Sequence, residues 1–85
     1  MKKKTVEVRI AKDQDMPIAM LVQVASQFGS TIHIESGEKY VNAKSIMGMM
    51  TVNINDGQQI TVVADGLDES EAIDSIEKYL TGQGQ

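Results

Sequence analysis

The sequence contains no cysteine, no tryptophan, one proline and one histidine. Without cysteine, neither a disulfide nor a thiolate-ligated zinc site can supplement the core, and this absence is typical of a reducing compartment. The single histidine, His33, excludes a cluster of histidine ligands, and no acidic partner is specified for it by spacing. Gly-rich phosphate-binding loops are also missing. These absences argue against an enzyme, so we expect no catalytic residue, no metal and no cofactor.

Aromatic and basic residues are scarce as well. One phenylalanine and two tyrosines leave no platform on which nucleic-acid bases could stack. The formal net charge is −4, whereas binding to a phosphate backbone requires a clustered positive face. The lysines at 2–4 precede no apolar stretch of the secretory kind, and no segment is long enough to cross a bilayer. We therefore expect a cytoplasmic protein that binds neither nucleic acid directly nor a membrane.

Hydrophobic periodicity predicts the order βαββαβα within one domain, residues 1–85. Alternating apolar and polar residues predict strands at 4–10, 31–35, 39–43 and 59–64. Helical spacing predicts helices at 17–28, at 46–52 and from Asp68 to about Leu80, with Asp68 and Glu71 spaced as a capping box. Residues 11–16 form a polar loop. This order predicts an α+β fold, a four-stranded antiparallel sheet with three helices on one face.

The segment at 42–50, with the sequence NAKSIMGMM, has a polar beginning followed by a short, almost wholly apolar run. Ser45 stands where a helix N-cap is expected, because its hydroxyl can accept from free amides of the next turn. The residues after it are too few for an independent helix and too apolar for an ordinary loop. Two interpretations remain open. In the first, a short helix places its methionines in the core. In the second, Ile46, Met47 and Met50 form an apolar recognition patch beside a modifiable hydroxyl.

Phosphorylation of Ser45 would be compatible with the fold. The added charge of about −1.5 to −2 would lie at a helix N-terminus, where the dipole and free amides favour an anion. The surface beside Ile46, Met47 and Met50 would change sharply, which is the physical logic of a switchable docking patch.

Two segments, 41–50 and 64–72, together with the order of elements, resemble the HPr family, the phosphocarriers of the bacterial sugar phosphotransferase system. The resemblance covers essentially the whole chain and implies an HPr-like open-faced β-sandwich. It also implies that Ser45 is a regulatory serine phosphorylated by HPr kinase/phosphorylase. In that case Ile46, Met47 and Met50 form the surface met by this kinase and by catabolite control protein A.

The first loop departs from the family pattern. The family carries His-Ala-Arg-Pro there, and this chain carries Gln14, Asp15, Met16 and Pro17, so only the proline matches. Gln14 occupies the position of the phosphorylated histidine, and an amide is not a nucleophile. A glutamine at this position, with the serine segment retained, resembles the Crh branch of the family. Crh proteins keep an arginine where this chain has Met16, and that arginine helps to dock the transcriptional regulator.

The leading hypothesis is a non-catalytic regulator of carbon catabolite repression, in which phosphorylated Ser45 makes the protein a corepressor of catabolite control protein A. The alternative is an unphosphorylated modulator that binds a metabolic enzyme through Ile46, Met47 and Met50, and that phosphorylation releases. A third hypothesis is a phosphocarrier, and Gln14 argues against it because an amide cannot act as the nucleophile. A homodimer made by exchange of the first strand is conceivable, because the polar loop at 11–16 could act as a hinge.

Overall fold

The computed structural model describes residues 1–10, 18–52 and 54–82. The strands are Lys2–Glu7 (β1), Thr31–Ser36 (β2), Lys39–Asn42 (β3) and Gln59–Asp65 (β4), and the helices are Ile18–Ser26 (α1), Ile46–Met49 (α2) and Glu69–Leu80 (α3). The predicted order and the α+β class are confirmed. The loop at 11–16, with Gln14 and Met16, and the predicted helix start at Pro17 lie outside the described residues.

The four strands form one antiparallel sheet in the order β1-β4-β2-β3. β4 therefore lies between the first strand and the hairpin of β2 and β3. In the middle of the sheet, Ile34 is paired with Val62 on one side and with Val41 on the other. This register aligns the apolar residues of the strands on the face that the helices cover.

The core lies between this face of the sheet and the helices. Its members are Val6, Val8, Leu21, Val22, Ala25, Ile32, Ile34, Ala43, Met49, Ile60, Val62, Ala64, Ala72, Ile73, Ile76 and Leu80. The alternation that predicted the strands and the helical spacing that predicted α1 and α3 account for most of them. His33, between Ile32 and Ile34, points to the open face, where it is half-buried because its ring stacks on Tyr40 with centroids 4.5 Å apart.

Two predicted boundaries differ from the structure by three residues, and the other described boundaries agree within two. β1 ends at Glu7 instead of residue 10, although Val8 is still buried and its amide donates to the Gln58 carbonyl at 2.8 Å. α2 ends at Met49 instead of residue 52. There the amides of Thr51 and Val52 bond three residues back, at 3.1 Å each, so the chain tightens into a turn instead of extending the helix.

The capping box predicted at the start of α3 is wrong. Asp68 does occupy the N-cap position, but its side chain makes no hydrogen bond to its own helix. Its carboxylate instead accepts from the amides of Gly29 and Ser30, both at 2.9 Å, and from the Ser30 hydroxyl. The carboxylate is therefore occupied by the connection between α1 and β2, and a pattern within one helix could not reveal that partner.

Candidate functional site

The start of α2 is fixed by the turn that follows β3. The Ala43 amide donates to the Ile32 carbonyl at 2.8 Å, which keeps the chain beside β2 for one residue beyond the strand. Asn42 then makes the turn, because its side-chain oxygen accepts from the Lys44 amide at 2.9 Å and its carbonyl accepts from the Ser45 amide at 3.0 Å. Ser45 thereby reaches the position before the helix.

The N-cap predicted at Ser45 is confirmed. Its backbone is extended, with φ −103° and ψ 115°, and its hydroxyl accepts from the Gly48 amide at 3.2 Å. The residue is half-buried. The first turn of α2 contains no acidic residue, so no carboxylate already compensates the positive end of this helix.

Lys44, directly before this serine, has a structural role. Its ammonium donates to the Phe28 carbonyl at 2.6 Å, just beyond the end of α1. A cation favours the carbonyl end of a helix, where the partial charge is negative. The contact holds the start of α2 against the end of α1.

The side chains of α2 divide between the core and solvent. Met49 is fully buried, whereas Ile46, Met47 and Met50 are 47%, 79% and 71% exposed. The core interpretation therefore holds for Met49 and fails for the other three. We call Ile46, Met47 and Met50 the α2 patch. Isolated apolar residues at the surface are ordinary, but three on five consecutive positions are a feature that needs an explanation.

One exposed apolar residue on the neighbouring helix α1 was missed by the sequence reasoning. Met20 lies on α1, which contacts α2, and it is 45% exposed. Its position outside the helical spacing of Ile18, Leu21 and Ala25 was the signal that could have identified it.

The described parts of the chain offer little other chemistry. Within these parts, no group of three or more histidine, cysteine, aspartate or glutamate residues is placed to hold a metal ion. An open cleft of about 740 Å³ lies between the β2–β3 turn and the loop before β4, lined by Ser36, Glu38, Lys39, Thr51, Val52, Asn55, Asp56, Gly57 and Gln58. The Gln58 side chain uses its polar groups within this cleft, since its amide nitrogen donates to the Ser36 hydroxyl at 2.6 Å and its amide oxygen accepts from the Asn55 backbone amide at 3.1 Å. His33 is on the open face of the sheet and joins no such group.

None of the helices in ranges 1–10, 18–52 and 54–82 is long and apolar enough to span a bilayer.

Comparison with known proteins places this geometry in a family. The family profile described as "PTS HPr component phosphorylation site" matches residues 2–82. The HPr-like protein Crh of Bacillus subtilis is 42% identical over 76 residues, which cover 88% of this chain and 89% of that protein.

Solved structures agree. The phosphocarrier protein HPr of Bacillus anthracis superposes with a TM-score of 0.85 at 40% identity, covering 94% of this chain and 96% of that one. Crh of Bacillus subtilis, solved as an intertwined dimer with a swapped domain, gives a TM-score of 0.75 at 37% identity, covering 100% and 99%. With its sheet order, its helices on one face and its matched sequence, the chain belongs to the HPr family.

Proposed function

We propose that this protein is a Crh-type, non-catalytic regulator of carbon catabolite repression, switched by phosphorylation of Ser45 by HPr kinase/phosphorylase. The observation that carries the proposal is the α2 patch, exposed directly beside a serine whose hydroxyl caps the helix. The similarity to Crh proteins supplies the regulatory context.

The expected effect of the phosphate follows from the geometry of the cap. The modified oxygen already faces the Gly48 amide, and no carboxylate competes with it in the first turn. An added charge of about −1.5 to −2 would therefore be tolerated by the helix. The result would be a composite surface, anionic at Ser45 and apolar at Ile46, Met47 and Met50. Catabolite control protein A would bind this surface, with the phosphorylated protein as its corepressor.

Two residues outside the described ranges bear on the proposal through their chemistry alone. Gln14 cannot take a phosphoryl group as an imidazole does, so the phosphocarrier reaction is not proposed. Met16 brings no positive charge to the first loop. Binding to catabolite control protein A would then depend more heavily on the α2 patch than it does in relatives with an arginine there.

The test is intact mass after incubation with HPr kinase/phosphorylase and ATP, on the wild type and on Ser45→Ala. We expect one added phosphate on the wild type and none on the variant. Binding of both forms of the wild type to immobilised catabolite control protein A follows, and we expect retention of the phosphorylated form. A parallel incubation with the general phosphotransferase enzyme and phosphoenolpyruvate should leave the protein unlabelled. Label in that arm would contradict the proposed loss of carrier chemistry.

A second candidate function is favoured by one observation, namely that the α2 patch is exposed in the unmodified chain. In that case the unphosphorylated protein binds and modulates a metabolic enzyme through Ile46, Met47 and Met50, and phosphorylation releases it. The two functions differ in which form a partner retains. Met47→Asp and Met50→Asp would weaken binding in both cases, so the phosphorylation state is the deciding variable.

The relatives also suggest an assembly. Crh of Bacillus subtilis is a swapped dimer, and here β1 is an edge strand that pairs with β4, from Lys2 opposite Ala64 to Glu7 opposite Gln59. Exchange of β1 between two copies would preserve this register and give a homodimer. Sedimentation of the purified protein over a series of concentrations tests this, with a monomer at all concentrations as the contrary result.

A further inference from the structure

Gly48 is an unusual residue for the middle of α2. A glycine in a helix interior lowers stability relative to alanine, because it loses more backbone freedom on folding. α2 has only four residues, so one poor helix former lowers its stability by a large fraction. A glycine at this position therefore needs an explanation.

The two usual structural reasons do not apply. The described glycines with positive φ are Gly37, Gly57, Gly66 and Gly82, and Gly48 is not among them. Nor is there a close backbone approach, because a Cβ on Gly48 would lie 3.5 Å from Ser45 Oγ, 3.6 Å from Ser45 Cβ and 3.7 Å from Val41 Cβ. These are ordinary van der Waals distances. A methyl group would therefore fit, without strain and without displacing a neighbour.

Apart from its chain neighbours and the backbone of its own helix, the nearest atom to that Cβ is the hydroxyl oxygen of Ser45. Any side chain at position 48 would consequently lie against this hydroxyl and narrow the space around it. We infer that Gly48 is a specificity-determining residue for phosphorylation of Ser45, because its missing side chain keeps the approach to the hydroxyl open. This inference rests on the proposed function, since it concerns the same modification.

The reaction explains why the space matters. Ser45 Oγ attacks the γ-phosphorus of ATP, the new O–P bond forms, and the bond from that phosphorus to the β,γ-bridging oxygen breaks. ADP leaves, and the hydroxyl proton passes to a base on the kinase. The attacking oxygen must align with the leaving oxygen, so a side chain at position 48 that holds the incoming γ-phosphate about 1 Å away from this alignment can slow transfer by roughly 100-fold. The half-buried hydroxyl, already bonded to the Gly48 amide, leaves few directions for this approach.

The experiment compares Gly48→Ala and Gly48→Leu with Gly29→Ala. Gly29 is a matched control, because its φ is not positive and a Cβ there would meet nothing within 4 Å. For each variant, kcat/KM with HPr kinase/phosphorylase and ATP is measured together with the melting temperature. We expect Gly48→Ala to melt at the same temperature or a few degrees higher, yet to lose roughly 10-fold in kcat/KM, and Gly48→Leu to lose roughly 100-fold. Gly29→Ala should remain within about twofold of the wild type.

Since Gly48→Ala is expected to stabilise the helix, a slower reaction cannot be attributed to unfolding. Equal rates for the wild type, Gly48→Ala and Gly48→Leu would overturn the inference and leave the proposed function intact. Equal kcat/KM values, with weaker binding of the phosphorylated Gly48 variants to catabolite control protein A, would also overturn the inference. In that case Gly48 would contribute to docking of the partner. No phosphate on the wild type would overturn the proposed function and this inference together.

Discussion

α2 and α3 both begin at a residue suited to capping, yet the two helix starts are used differently. Ser45 caps its own helix, and the residues after it present apolar side chains to solvent. Asp68 leaves its own helix uncapped and binds Gly29 and Ser30 instead. One helix start presents apolar side chains to solvent, and the other is closed by contacts within the chain.

The closed start of α3 collects several further contacts. The Glu69 carboxylate accepts from the Gly66 amide at 3.1 Å and lies 3.2 Å from the amino group of Met1. The Gly66 amide is the main cause that lowers the pKa of Glu69. The Ser30 hydroxyl, followed by the Gly29 amide, lowers the pKa of Asp68. The groups at this junction therefore satisfy one another.

The two helix starts differ in how much they contribute to the stability of the fold. At α3, polar groups join the end of α1 to the last helix. At α2, only Met49 enters the core, whereas the α2 patch contributes little to folding. If this difference is real, substitutions at the closed start and at Met49 should change stability, and substitutions in the α2 patch should not.

The largest expected effect is at Met49. Met49→Ala removes a fully buried side chain and should lower the free energy of unfolding by about 2–5 kcal/mol. Met50→Ala, at the C-cap of the same short helix and mostly exposed, should change it by no more than about 0.5 kcal/mol. Urea denaturation of both variants measures the difference. Similar losses in the two variants would show that the α2 patch supports the fold. The difference in stability contribution between the α2 patch and the start of α3 would then disappear.

The next effect is at Gly66, beside the closed start. A Cβ there would lie 2.7 Å from Ser30 Cα and 2.9 Å from Ser30 Cβ, so the backbone of the α1–β2 connection would have to move. Gly66→Ala should therefore cost roughly 3 kcal/mol, at the upper end for overpacking. Thermal unfolding would detect it, with Gly48→Ala as the control in which a Cβ fits. An unchanged melting temperature for Gly66→Ala would mean that the junction is looser than described.

A smaller loss is expected from Ser30→Ala. The side chain is buried and its hydroxyl donates to the Asp68 carboxylate, so its removal should cost about 1.5 kcal/mol, the lower end for a bond to a charged group. The two backbone amides still bind Asp68 in the variant, which limits the loss. Thr31→Ala, whose hydroxyl makes only a long exposed contact at 3.3 Å, is the matched control and should be nearly neutral.

The same variant should alter the dependence of stability on pH. The folded-state pKa of Asp68 is lowered from 3.8, so this stabilisation is fully present above that value and is lost as pH falls through the folded-state pKa. In Ser30→Ala the main cause of the lowered Asp68 pKa is absent. The free energy of unfolding should therefore fall less steeply as the pH is lowered. Denaturation midpoints between about pH 2 and 6 for both proteins test this. Identical pH profiles would count against the assigned role of Ser30.

The sequence-based prediction succeeded where the signal was local. Alternation placed Ile32 and Ile34 in the core, and the residue types after Ser45 indicated its N-cap. The prediction failed where the partner was distant in sequence. Asp68 binds Ser30 and Gly29, which precede it by 38 and 39 positions. Composition could not decide which methionine in this segment is buried, because that depends on how the turn after β3 orients α2 against the sheet. The roles of Ser45 and the α2 patch remain predictions.

The smallest effect concerns the cap itself. Ser45→Ala removes the acceptor for the Gly48 amide and should lower the free energy of unfolding by about 1 kcal/mol, whereas Ser45→Asp, an equally good N-cap residue, should be close to neutral. Equilibrium urea unfolding of the two variants measures this. Because the loss is small, Ser45→Ala should remain folded, so its failure to accept phosphate would report chemistry and not unfolding. If Ser45→Asp proved as unstable as Ser45→Ala, the start of α2 would not accommodate a negative charge, and a phosphate there would be expected to disrupt the helix that presents the α2 patch.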